Sequence, residues 1–199
     1  LDLQKKIIIG DNTEKFDKIS NRIKGQISKM TDMMDDLLTI GKINENGINF
    51  KPIPIDIVRL SKKVAKGYDD IQNDGRILSI VERGVRRKVM LDPTLMEHVL
   101  SALISNAFKY SKNAGNPIIT LSFLKNEFHL TIKDFGIGIP YDEIGHIHEP
   151  FFRASNAIDI PGTGLGTSIV KEYVEINKGQ LYLTSEKNKF TEFKLVFKD

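Results

Sequence analysis

No cysteine and no tryptophan occur among the 199 residues. Without a thiol there is no disulfide, no cysteine nucleophile and no thiolate zinc site, a composition that fits a reducing compartment. Long apolar runs are also missing. None exceeds three residues, as at Ile7-Ile8-Ile9, far short of the roughly 20 that a membrane-spanning helix needs. Fifteen glycines and seven prolines are too few for a collagen-like or Pro-rich chain, and 40% apolar residues suffice for a folded core. Nor does one sign of charge dominate, since the net charge is only +3. The excess sits in residues 57–92, with nine Lys/Arg against five Asp/Glu, around Arg76, Arg83, Arg86, Arg87 and Lys88. A cluster that small reads as a solvated face, so no nucleic-acid partner is expected.

The chain opens without Met or a leader pattern, and Leu1, Leu3 and Ile7 already keep helical spacing. The expectation is a piece of a longer protein. Over 13–43, Phe16, Ile19, Ile23, Ile27, Met30, Met34, Leu37 and either Leu38 or Ile40 recur at spacings of three and four. They form one stripe on a helix, with Lys18, Lys24, Lys29, Asp32 and Asp36 outside it. Asp11 with Glu14 resembles a capping box, and Gly10 closes a preceding helix. A helix of about 30 residues is ~45 Å long, so its stripe calls for a second long helix and a second copy of the chain.

Pro52 and Pro54 in a polar stretch mark 44–55 as a linker. Asp56 then caps a helix with Ile57, Leu60, Val64, Tyr68 and Ile71 on one face. Runs 76–82 and 85–91 read as strands, and Asp92-Pro93 starts a helix over 93–110. Strands at 117–124 and 127–133, a helix at 165–177 and strands at 180–186 and 191–197 complete the order. Paired strands divided by helices indicate an α+β, two-layer sandwich with a mostly antiparallel sheet, preceded by a long-helix hairpin.

Three motifs carry chemistry. Asn106 and Lys109 share a helix face next to Tyr110, offering a carbonyl oxygen to a hard cation and a point charge to phosphate. Asp134-Phe135-Gly136-Ile137-Gly138-Ile139-Pro140 ends a strand, where a carboxylate can accept from the amino group of adenine and two glycines permit close backbone approach. Gly162-Thr163-Gly164-Leu165-Gly166-Thr167-Ser168 opens a helix whose free amides suit phosphate. It lacks the strand and acidic residue of a dinucleotide-binding turn and the Lys-Ser/Thr ending of a P-loop.

In order and spacing, Asn106 with Lys109-Tyr110, Asp134-x-Gly136-x-Gly138, Phe151-Phe152-Arg153 and Gly162-Thr163-Gly164-Leu165-Gly166 resemble the N, G1, F and G2 boxes of sensor histidine kinases. Their ATP-binding domain has the Bergerat fold, shared with type II topoisomerases and MutL. The resemblance covers 52–199 and implies 1–43 as part of a dimerisation and histidine-phosphotransfer hairpin and 56–199 as the catalytic domain. It implies Asp134 as the adenine-reading carboxylate, Asn106 as the Mg2+ ligand, and Lys109 and Tyr110 at phosphate and at base or ribose. Residues 139–161, starting at Ile139, would form the ATP lid, anchored by Phe151 and Phe152, with Arg153 near the phosphates. Thr163, Gly164, Leu165, Gly166 and Thr167 would close over the triphosphate. The implied ligands are ATP and Mg2+. The implied partners are a second copy through 13–43 and a response-regulator receiver domain, in the cytoplasm, with a membrane reached only through an upstream region.

Four departures stand out. The phosphoacceptor box, a His-Glu pair followed by Arg-Thr-Pro, is absent, which places the acceptor upstream. Ala102 stands one turn before Asn106 where a polar residue is usual, Asn188-Lys189-Phe190-Thr191 replaces a glycine-rich box, and Phe135 replaces an Asn. A pseudokinase that binds nucleotide without transferring phosphate is the first alternative. A Bergerat ATPase is the second, disfavoured because Ala102 occupies the place of its general base. His146 and His148 with Glu149 could hold zinc only with further ligands that the sequence does not supply.

Overall fold

The same alternation that marks strands in the sequence divides the main sheet into a dry face and a wet one. In the computed structural model the described residues are 16, 19, 20, 23–27, 30, 31, 33–41, 45, 47–69 and 74–198. The capping pattern at Asp11 and Glu14, Gly10, Ile71 and residues 1–9 lie outside them. The elements are β1 (Ile53–Ile55), α1 (Ile57–Asp69), β2 (Ser79–Gly84), β3 (Val89–Leu91), α2 (Pro93–Tyr110), β4 (Ile118–Phe123), β5 (Glu127–Asp134), α3 (Gly166–Ile176), β6 (Gly179–Glu186) and β7 (Phe190–Lys198). Two 3-10 turns, Tyr141–His146 and Ser155–Ala157, lie between β5 and α3. The described residues from 16 to 41 are helical, and Phe16, Ile23, Met34 and Leu37 of their apolar stripe are exposed.

Five strands run in the order β2-β4-β5-β7-β6. Ile119, Leu121 and Phe123 of β4, Phe128, Leu130 and Ile132 of β5, and Phe193, Leu195 and Phe197 of β7 are buried on one face. That face meets the helices, and α2 supplies Leu95, Met96, Val99, Leu100, Leu103, Ile104, Ala107 and Phe108 to the same core. This is the α+β two-layer arrangement expected from the element order.

Three details differ from the sequence reading. The runs at 76–82 and 85–91 are not neighbours: β2 pairs in parallel with β4, Ser79 opposite Ile118, while β3 pairs antiparallel with β1, Ile53 opposite Leu91. Residues 53–55 of the stretch read as linker therefore form a strand, because Val89 and Leu91 bury on the core side and need a cover at that edge. The basic cluster is not one solvated face either. Arg76 is only 9% exposed, Arg86 pairs with Asp56 and Glu82, and Arg87 donates to the carbonyls of Leu124 and Glu127.

The start of α2 is fixed by one carboxylate. Asp92 is buried, and its side chain accepts from the amides of Thr94, Leu95 and Lys51, while its own amide donates to Asn177 Oδ1. Replacing it leaves the buried Leu95 amide and the part-buried amides of Thr94 and Lys51 without their acceptor, and loss of an N-cap costs about 1–2 kcal/mol. Asp92→Ala is expected to lower the melting temperature by about 2–8 °C, read by thermal unfolding followed by circular dichroism.

Candidate nucleotide site

A cavity of about 760 Å³ opens between α2, the end of β5, the 139–161 segment and the start of α3. Its floor follows from strand periodicity. Phe128, Leu130 and Ile132 point inward on alternate positions of β5, and the next inward position is Asp134. Its carboxylate is 5% exposed, and one oxygen accepts the Gly136 amide at 2.9 Å. Burial pushes its pKa up to about 6, against that hydrogen bond. Thr191, paired opposite it on β7, is buried and lines the same cavity.

The loop after β5 is clamped from two sides. On one side the amide of Ile137 donates to Tyr110 O at 3.0 Å, and a Cβ on Gly136 would lie 2.0 Å from that oxygen. On the other, the amide of Asn188 donates to Ile137 O at 2.8 Å, and Gly138, at φ 57°, would place a Cβ 2.1 Å from Glu186 O. Asn188 itself has φ 60°, a conformation asparagine tolerates better than most residues. The absence of glycine from this turn is thus no obstacle to its geometry.

From α2, Asn106, Lys109 and Tyr110 all reach the cavity. Lys109 Nζ lies 4.5 Å from the centre of the Tyr110 ring, next to Gly162. Ala102, one turn earlier, is packed against the core. From the far wall come Gly138, Ile139, Phe152, Arg153, Thr163, Gly164, Gly166 and Thr167. α3 starts at Gly166 after Leu165, whose side chain makes no capping hydrogen bond, and Gly166 and Thr167 of its first turn line the cavity at the positive end of the helix dipole.

Three expected residues take other places, and a fourth, Arg153, is engaged within the chain. Phe151 is exposed at φ 66°, and its contribution is a backbone donor to Gly164 O, while Phe152 alone packs on the core. Gly136 lies behind the cavity against α2. Leu165 is buried, and its amide is spent on Thr163 Oγ1 at 3.2 Å. Arg153 lines the cavity but donates through Nη2 to the carbonyls of Ala157 and Ile160, which ties it to the lid's own turn.

Two further residues had no motif to betray them. Asn156 holds the carbonyls of Ile137 and Gly138 at 3.2 and 2.9 Å, locking the lid onto the loop after β5. Asp36, on the N-terminal helix, accepts from Thr163 Oγ1 at 2.9 Å and lines the cavity with Gln26, Met30 and Met33. His146 pairs with Glu149, and His148 sits against Phe193, its pKa lowered by burial. Among the described residues no three His, Asp or Glu side chains are grouped to hold a metal ion. No described helix is long and apolar enough to cross a membrane.

A sequence family described as histidine kinase-, DNA gyrase B- and HSP90-like ATPase matches residues 91–199. The chain belongs to this family. Sensor histidine kinase WalK of Bacillus subtilis (strain 168) is 28% identical over 174 residues, covering 84% of this chain and 28% of that protein. Adaptive-response sensory kinase SasA of Crocosphaera subtropica is 28% identical over 184 residues, covering 88% of this chain and 47% of that protein. The chain thus spans less than half the length of these relatives. Among solved structures, full-length ShkA in complex with AMPPNP superposes with a TM-score of 0.74 at 21% identity, covering 84% of this chain and 35% of that one. The α+β sandwich is therefore that of histidine kinase-type ATPase domains, and an ATP-binding domain is what the family match supports.

The raised pKa of Asp134 gives a pH signature. Above about pH 6 the carboxylate is ionised and a full acceptor, suited to an exocyclic amine; as the pH falls through that value it is protonated and the acceptor is weakened. Affinity for Mg-ADP is expected to drop about tenfold from about pH 7.5 to about pH 5. Calorimetry at both values checks this, with Asp134→Asn as the control that isolates the side chain from titration of the phosphates.

Proposed function

We propose that the chain is the catalytic fragment of a two-component sensor histidine kinase, which binds Mg-ATP and transfers the γ-phosphoryl group to a histidine supplied upstream. The observation that carries this reading is the convergence on one cavity of a buried carboxylate, Asp134, with Asn106 and Lys109 of α2 and the amide-bearing start of α3. Asp134 is suited to hold the adenine amine, Lys109 to meet phosphate, and the Asn106 carbonyl oxygen to ligate Mg2+. When bound, ATP provides the transferable phosphoryl group and Mg2+ offsets the charge on its phosphates. What the chain contributes is position and charge. In the transfer the acceptor imidazole nitrogen bonds to the γ-phosphorus, the bond to the β,γ-bridging oxygen breaks, ADP leaves, and the imidazole proton passes to an acidic neighbour of the acceptor.

Within this reading, residues 1–43 are part of a dimerising hairpin, 44–55 connect it, and 56–199 form the catalytic domain. The exposed stripe of Phe16, Ile23 and Met34 supports a homodimer. The phosphoryl group then goes to an aspartate of a response regulator, in the cytoplasm. Ala102 favours transfer over hydrolysis, since its methyl group packs on the core where a water-activating carboxylate would be needed.

Asp134→Asn removes a charged acceptor and is expected to weaken Mg-ATP binding by about 1.5–3 kcal/mol. Unchanged affinity by calorimetry would mean that adenine is held elsewhere. Residues 1–199 incubated with radiolabelled Mg-ATP are expected to stay unlabelled, because proximity provides most of such a transfer and no acceptor is tethered. A separate acceptor helix bearing the missing box should gain acid-labile, base-stable phosphate. Labelling of the chain itself would place the acceptor within it, with His98 the first residue to replace.

A further inference from the structure

The last turn of α2 carries Lys109 and Tyr110 into the cavity and Tyr110 O against the loop after β5, so its position along the helix axis sets both sides of the site. A helix ends with carbonyls that have no partner of their own. Here they are met from outside the helix. Arg76, in the segment leading into β2, sends its guanidinium inward, and Nη1 donates to Phe108 O at 3.0 Å, Ser111 O at 2.9 Å and Ser111 Oγ at 2.7 Å. Ser111 Oγ passes the bond on to Ala107 O at 2.6 Å. The other edge of the guanidinium is held by Asp74, with Nε at 2.8 Å and Nη2 at 2.6 Å from Oδ2. Its carbon lies 5.2 Å from the centre of the Phe108 ring, whose other neighbour is Tyr68, stacked at 6.4 Å.

We infer that Arg76 is a positioning residue for nucleotide binding, fixing the end of α2 so that Lys109, Tyr110 and the loop bearing Asp134 stay in register. The inference rests on the nucleotide reading of the cavity and goes beyond it, since Arg76 touches no part of the cavity. Phe108 O and Ser111 O are tied to Arg76, and Tyr110 O, between them, is tied to Ile137. A shift of the turn that lengthens the first two bonds therefore also moves the third, and with it the Gly136 amide that orients Asp134. Lysine cannot substitute. Its single ammonium has no planar fork with which to hold Asp74 on one edge and two carbonyls on another.

The test is calorimetric titration of the whole chain with Mg-ADP, reading affinity and stoichiometry separately. A side chain that only stabilises the fold lowers the number of binding sites and leaves the affinity of the folded fraction intact. A positioning side chain weakens affinity while the sites remain. Arg76→Lys is expected to raise the dissociation constant about tenfold with stoichiometry kept. Asp74→Asn, which leaves the three contacts to Phe108 and Ser111 in place, is expected to stay within about twofold, because the amide oxygen of Asn still accepts from the guanidinium and Asp74 itself is about one-third exposed. If Arg76→Ala does not fold, Arg76→Lys decides. Unchanged affinity with fewer sites in Arg76→Lys overturns the inference and leaves Arg76 a structural cap. A tenfold loss in Asp74→Asn also overturns it, by assigning the effect to the ion pair. Failure of the unmutated chain to bind Mg-ADP overturns the nucleotide reading itself, a result distinct from both.

Discussion

Residue 136 has to lack a side chain, because a Cβ there would lie 2.0 Å from Tyr110 O. That approach brings the strand-end loop against the helix terminus, and most of the site depends on it. It lets the Ile137 amide reach Tyr110 O, directs the Gly136 amide at Asp134, and leaves Ile137 O free to receive Asn188 from the β6–β7 turn. The loop is held by backbone bonds to a helix and a hairpin that are distant in sequence. Side-chain chemistry is then added on a frame that has little freedom left.

Several polar and charged groups around the cavity are engaged by other parts of the chain. Arg153 donates to two carbonyls of the lid's own turn, Asp36 accepts from Thr163, and Asn156 spans from the lid to the loop after β5. In the proposed nucleotide reading, a triphosphate entering this cavity meets an arginine committed to backbone oxygens and a carboxylate hydrogen-bonded to Thr163. Lys109 lies over Tyr110 beside Gly162, four residues ahead of the first residue of α3. In the same proposed reading, electrostatic attraction for phosphate rests on that lysine and the helix end.

Local signals were legible where chemistry and geometry coincide within a few residues. Asp92-Pro93 marks the start of α2 because an N-cap carboxylate and a proline at the first helical position are both local requirements. The inward place of Asp134 follows from alternation along β5, and the convergence of its motif with Asn106 and Lys109 follows from the resemblance. The partners of β2 and β3 were not legible, since strand choice depends on which distant edge is free. Arg76 read as solvated because its acceptors, Phe108 O and Ser111 O, lie 32 and 35 residues away. Phe151 and Leu165 show a different limit. Their motifs name residue types, but φ 66° at Phe151 and the Thr163 hydroxyl beneath the Leu165 amide decide what each contributes.

The parallel pairing of β2 with β4 carries a consequence for how the chain folds. A parallel neighbour cannot be reached by a hairpin; the chain must cross over first, and here the crossover contains α2. Pairing of the edge strand thus closes a long loop, an entropic cost offset by the docking of α2 on the sheet. The same crossover that makes the parallel pairing possible also carries Asn106, Lys109 and Tyr110 to the mouth of the cavity, so the edge strand and one wall of the site share a single connection.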